Sequence, residues 1–177
     1  MQTPDASALS MLKTALEMEE KGYRFYAKAV AEDKNELGRG VFKMLRDDEK
    51  IHIERIRIIF TSLVSGGAWT DEWKEFSTPP RDLGQIFRDL AQQHESEITP
   101  ETGDLTAIDI GLDFEAKSVR FYTEELQRAV NPLERDFAKA MIAEEETHHE
   151  LLADMKLYLT DPESWFRERE KGGLDGA

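Results

Sequence analysis

Shifted by 96 residues, the chain lies on itself: residues 9–63 align with residues 105–159 without a gap, and 15 of the 55 pairs are identical. Helical segments that match by accident share apolar residues, but they do not pair acids and histidines in register. Here Glu19 falls on Glu115, Glu49 on Glu145 and His52 on His148, accompanied by Lys21/Lys117, Arg24/Arg120, Phe25/Phe121, Tyr26/Tyr122 and Asn35/Asn131. The chain is therefore two copies of one design.

Each copy reads as a pair of helices. Threonine caps and proline suits a first turn, so Thr3-Pro4 predicts the start of the first helix. The second runs from Leu37 to Val64 and stops at Ser65-Gly66-Gly67. Residues 65–103 form a connector rich in breakers: Gly66-Gly67, Pro79-Pro80, Pro100 and Gly103. A short amphipathic helix from Asp82 to about Glu97 is expected within it, with Leu83, Ile86, Phe87 and Leu90 on one side. The third long helix spans Gly103 to Ala129, and the fourth runs from the Asn131-Pro132 cap to Thr160. Asp161-Pro162 predicts a short terminal helix carrying Trp165 and Phe166, with the residues after Gly172 loose. The fold class is all-α, an antiparallel four-helix bundle with a long crossover connector and a short C-terminal helix. One domain covers residues 1–160, and residues 161–177 are a short extension.

The apolar faces of the four helices contain charges. Helix one reads Leu9, Leu12, Leu16, Glu19, Tyr23, Tyr26, Val30; helix two reads Phe42, Leu45, Glu49, His52, Ile56, Ile59, Leu63. Helix three reads Leu105, Ile108, Leu112, Glu115, Val119, Tyr122, Leu126; helix four reads Ala138, Met141, Glu145, His148, Leu152, Met155, Leu159. Each run keeps the 3-4 spacing that points inward in a bundle. Four carboxylates and two imidazoles thus meet in one core, where unpaired carboxylates each cost several kcal/mol or more. Two divalent cations balance four carboxylates, and the imidazoles bind as neutral ligands. One Glu from each of two helices, plus Glu-x-x-His from each of the other two, is the donor set of carboxylate-bridged dinuclear sites in bundles. The candidate metal ligands are Glu19, Glu49, His52, Glu115, Glu145 and His148; a buried salt-bridge network is the competing account. Carboxylate with imidazole suits iron or manganese and admits zinc.

Helix four offers two overlapping motifs, Glu145 with His148 and Glu146 with His149, pointing about 100° apart. The stripe through the first is apolar and the stripe through the second mostly polar, so the first pair is expected to face the core. Tyr26 and Tyr122 are expected to pack in the core with buried hydroxyls, the alternative being a hydrogen bond to a metal ligand. Lys21, Lys117, Arg24 and Arg120 are expected at the surface, as are His94 and Glu97 of the connector. Trp69, Trp73 and Trp165 are expected to cover the bundle or an interface.

Composition removes other chemistries. Without cysteine there are no disulfides, thiolate metal sites, cysteine nucleophiles or iron–sulfur clusters. A net charge of −14 opposes binding to nucleic acid or to anionic membranes. No apolar run reaches the length of a membrane span, and the N-terminus lacks the pattern of a secretory signal, so a cytoplasmic protein is expected.

At these residues the chain resembles the rubrerythrin-like branch of the ferritin-like superfamily. The resemblance covers about residues 8–160 and rests on four stretches. They are Glu19 followed by Phe25-Tyr26, Asp48-Glu49-Lys50-Ile51-His52, Glu115 followed by Phe121-Tyr122, and Glu144-Glu145-Glu146-Thr147-His148. It implies a ferritin-like bundle with two iron ions that reacts with hydrogen peroxide or dioxygen, its four glutamates serving catalysis. Glu49 and Glu145 would bridge the metals, with Glu19 and His52 on one and Glu115 and His148 on the other. It also implies a homodimer or larger homo-oligomer. Two departures bear on this. The chain has no four-cysteine rubredoxin-like tail, so electrons would come from a separate donor protein, and Ser118 stands where rubrerythrins carry a further glutamate. The same six ligands serve bacterioferritins, which store iron through ferroxidase chemistry. Their haem-binding methionine corresponds to Lys50, so no haem is expected. A di-iron hydroxylase and a metal-stabilised structural bundle are the remaining readings.

Overall fold

The computed structural model describes residues 6–78, 82–93 and 102–172. The expected start at Thr3-Pro4, Pro79-Pro80, His94, Glu97, Pro100 and the residues after Gly172 lie outside them. Four long helices dominate: α1 (Ala6–Glu32), α2 (Glu36–Val64), α4 (Thr102–Arg128) and α5 (Pro132–Thr160). Two short ones, α3 (Leu83–Gln93) and α6 (Pro162–Gly172), follow α2 and α5, and a single 3-10 turn covers Glu72–Glu75. Among the described residues, no helix is long and apolar enough to cross a membrane.

The links inside each half are three residues long and force the helices to run antiparallel. Both contain the asparagine that the repeat pairs. Asn35 Oδ1 accepts from the amides of Leu37 and Gly38 at 2.9 and 3.3 Å, and Asn131 Oδ1 accepts from Leu133 at 2.9 Å with Pro132 opening the helix. Each cap satisfies amides that the first turn leaves free. After α2 the chain turns at Gly66, whose φ of +80° suits glycine. α1 packs along α2 and α4 along α5; α2 against α5 and α1 against α4 join the hairpins into one all-helical bundle.

On α2 and α5 every residue of the predicted stripe is buried. On α1 and α4 the large side chains Leu9, Leu16, Tyr23, Val30, Leu105, Leu112, Val119 and Leu126 lie half-buried at the edge. The centre of the α1 face is instead Ala8, Leu12, Ala15, Glu19, Gly22, Tyr26 and Ala29, and that of α4 is Ile108, Gly111, Glu115, Ser118 and Tyr122. Small residues at the seam let the helices approach closely. A Cβ on Gly22 would come within 2.6 Å of the Phe114 ring, and one on Gly111 within 2.9 Å of Leu152.

The core is split. One apolar part gathers Tyr26, Leu37, Phe42, Leu45, Ile108, Leu152, Met155 and Tyr158, and is closed by Phe87 of α3 and Trp165 of α6. The Trp165 ring packs edge-on at 5.5 Å from Phe87 and 5.2 Å from Tyr158, so the extension after residue 160 is anchored to the bundle through an aromatic cluster. The other part gathers Met11, Leu12, Ile56, Ile59, Tyr122, Phe137 and Met141 beneath Trp69 and Trp73. All three tryptophans thus cover the bundle, as expected. Between the two parts lies the layer of acids and histidines.

Candidate metal centre

The 3.6-residue period puts Glu49 with His52, and Glu145 with His148, on neighbouring turns of one face. The opposing hairpin geometry then aims both pairs at the glutamates of α1 and α4. Glu19, Glu49, His52, Glu115 and Glu145 are wholly buried, and His148 is 1% exposed. They form two overlapping groups: Glu19, Glu49, His52 and Glu145, and Glu49, Glu115, Glu145 and His148. Within each group one donor atom per residue lies within 4.8 Å of all the others, so each group could hold a metal ion. Glu49 and Glu145 belong to both. Glu146 is exposed and His149 half-buried, as the stripe argument for helix four requires. Lys21, Arg24, Lys117 and Arg120 are exposed.

The imidazoles face each other across the centre with ring centroids 5.6 Å apart. His52 Nδ1 is 3.3 Å from Glu19, 3.5 Å from Glu49 and 3.1 Å from Glu145. His148 Nδ1 is 3.7 Å from each of Glu49, Glu115 and Glu145. The outward nitrogens have partners of their own. His52 Nε2 lies 2.8 Å from Glu144 and His148 Nε2 3.2 Å from Asp48. A carboxylate only accepts, so each Nε2 carries the proton and each Nδ1 of a neutral ring turns its lone pair inward. Arg55, buried, donates from Nη1 to both Glu144 oxygens at 2.9 and 3.0 Å, from Nε to the carbonyl of Phe76, and lies 5.7 Å from the Trp73 ring centroid.

The tyrosines take the second of their two expected roles. Tyr26 donates to Glu115 Oε1 and Tyr122 to Glu19 Oε1, each crossing between the two halves of the repeat. The roles of Asp48, Glu144 and Arg55 escaped the sequence reading. The signal was present: the repeat pairs Asp48 with Glu144, each directly before a central glutamate, and Arg55 sits one turn beyond His52.

Burial and crowding shift Glu49, Glu115, Glu145 and both histidines. Glu115 rises from its ordinary 4.5 to about 8, first through loss of water and then through the neighbouring Glu145 charge. Glu49 rises through burial and the charges of Glu19 and Glu145. Burial also acts on Glu145, but the close approach of Glu115, His148 and His52 outweighs it and holds this carboxyl well below the usual range. Burial would lower both histidines; contacts with Glu144, Glu145 and Glu19 raise His52 instead, and contacts with Asp48, Glu115 and Glu145 raise His148. The protein on its own must therefore gather protons here to relieve the repulsion.

Protons do not satisfy the centre. Both oxygens of Glu49, both of Glu145, Glu115 Oε2 and His148 Nδ1 are buried without a hydrogen-bond partner. Buried polar atoms are otherwise nearly always paired, and these six converge on one small volume. Hard carboxylate oxygens with imidazole nitrogen are donors for a divalent transition metal. Comparison with known proteins gave no match, whether to family models, to curated proteins or to solved structures.

Proposed function

We propose that this chain is a dinuclear iron-binding protein with a ferritin-like bundle, of the rubrerythrin type. It would reduce hydrogen peroxide or dioxygen with electrons from a separate donor protein. The observation that carries the reading is the set of six unpartnered donor atoms on Glu49, Glu115, Glu145 and His148 at the buried centre of the bundle. Two divalent cations offset four carboxylates, and each cation takes the place of protons that the centre otherwise collects. Manganese or zinc fits the same donors. Self-association as a homodimer or larger homo-oligomer, and a cytoplasmic location, belong to the same reading.

Glu19, Glu49, His52 and Glu145 would hold one ion, and Glu49, Glu115, Glu145 and His148 the other. When bound, two iron ions supply electrons to the oxidant and accept them back from the donor. The protein's own part is orientation and exclusion of water. Glu144 and Asp48 hold the two imidazoles with Nδ1 inward, and Tyr122 and Tyr26 hold one oxygen of Glu19 and of Glu115. Such outer hydrogen bonds orient ligands and tune the metal. Against the effect of burial, His52 and then Arg55 hold the Glu144 carboxyl below its ordinary range, and Arg55 fixes it in place.

A second reading, iron storage with ferroxidase chemistry, is favoured by Ser118, which is buried where rubrerythrins place a further carboxylate. The discriminating experiment loads the protein anaerobically with ferrous iron and mixes it rapidly with peroxide or with dioxygen. Oxidation by peroxide at least as fast as by dioxygen is the expected result. Faster oxidation by dioxygen with mineral growth in large assemblies would replace the peroxidase reading with storage.

A further inference from the structure

Ser118 is wholly buried, and its hydroxyl has no hydrogen-bond partner. Hydroxyl side chains inside helices ordinarily bond back to the carbonyl four residues earlier. Thr123, on the same helix, does so to Val119 at 2.7 Å, and Thr147 does so to Ala143 at 2.8 Å. Ser118 does not. It lies one turn after Glu115 and one turn before Tyr122, and both of those side chains reach the metal centre. The serine therefore shares the face of α4 that lines the centre.

The repeat indicates what lies beside it. The partner of Ser118 in the other half is Gly22. A Cβ on Gly22 would lie 3.4 Å from the carboxyl carbon of Glu49 and would collide with the Phe114 ring at 2.6 Å. On that side the space against the central carboxylate is filled by a rigid aromatic ring. By the repeat, the positions that correspond to these neighbours on the Ser118 side are Glu145, for Glu49, and Met18, for Phe114. A thioether chain is flexible and yields where a ring does not. The two sides of the centre thus differ. One is closed by Phe114; the other carries an unsatisfied donor, and the repeat puts a methionine where the first side has that ring.

We propose that Ser118 is the hydrogen-bond donor for a small anion of two or three atoms that binds in the centre, and that the centre admits such ligands on the Ser118 side. This rests on the dinuclear reading above. The chemical class follows from the surroundings: a buried hydroxyl donor with no partner, and the cations that the neighbouring carboxylates would hold. Deprotonated peroxide belongs to this class, and azide is its stable probe.

The test is an azide titration of the iron-loaded full chain, followed by absorption. It compares wild type with S118A, and S118T with S118V, with iron content measured in each. Threonine and valine share a shape and differ in the hydroxyl, which separates hydrogen bonding from packing. All four proteins are expected to hold the same iron. Azide should bind S118A about tenfold more weakly than wild type, and S118V about tenfold more weakly than S118T. The metal-free S118A protein should melt above wild type, because an unpartnered buried hydroxyl has been removed; a merely structural serine would give neither the azide effect nor its dependence on the hydroxyl. Equal azide affinity within both pairs, at full iron content, overturns the proposal and leaves the dinuclear reading intact. A wild-type protein that takes up no iron overturns the dinuclear reading, and the proposal with it.

Discussion

Held in chelator, the protein should lose stability as pH rises from 5 to 8. The sign follows from the groups at the centre. Glu115 titrates near 8 in the fold against an ordinary 4.5. Between those values the folded chain binds more protons than the unfolded one, so stability falls with rising pH. Glu49 is raised and acts in the same direction. His52 and His148 are also raised, so their contribution is complete below about 6.5 and is lost as pH climbs through their folded values. Glu145 is depressed, and its contribution is lost only as pH falls through that low value, beneath this window. A displacement from 4.5 to about 8 corresponds to about 5 kcal/mol for Glu115 alone. That is a large part of the ~5–15 kcal/mol that holds a typical domain together. In a chain of this size it should lower the melting temperature by about 10–20 °C across the window. The assay is thermal unfolding by circular dichroism in chelator at stepped pH, repeated in E115Q, which should flatten the slope. Stability that is constant or rises from pH 5 to 8 refutes the crowded carboxylate centre.

Other consequences are read with simple variants. Tyr122→Phe removes the hydroxyl that donates to Glu19 Oε1 and should cost about 1–3 kcal/mol in denaturant unfolding of the metal-free protein. Arg55→Leu installs the residue that the repeat carries at position 151. It leaves Glu144 without its buried cation, with an expected loss of about 3 kcal/mol. Gly22→Ala drives a methyl group into the Phe114 ring and should destabilise by about 1–3 kcal/mol without changing the donor set. His148→Ala should weaken binding of one metal by about 100-fold or more in a competition titration, while His149→Ala should leave both in place; the reverse pattern would break the register of helix four.

Much of this architecture was legible because the repeat and the helical period speak to the same residues. The Asn131 cap, the ends of α2 and α5, and the buried position of all six acids and histidines follow from them. The faces of α1 and α4 were read slightly rotated, because large apolar residues draw attention to themselves and small ones do not. The seam belongs to Ala8, Ala15, Gly22 and Ala29, whose role is the closeness they permit, and closeness is a property of two helices together. Asp48, Glu144 and Arg55 were missed for a related reason. They sit beside the central residues on their own helices, yet their partners His148, His52 and the carbonyl of Phe76 lie 100, 92 and 21 residues away. Only the packed bundle reveals those pairings. The tyrosines were ambiguous for the same cause: a buried ring is expected from the stripe, but the acceptor for its hydroxyl comes from the other half.

The measurement that tests the central claim most directly is the metal content of the folded chain after anaerobic loading with ferrous iron and removal of the excess. Four carboxylates and two imidazoles in two overlapping groups predict two ions per chain, with a matching rise in melting temperature. A folded protein that binds one ion or none, and melts at the same temperature with iron as with chelator, contradicts a dinuclear centre.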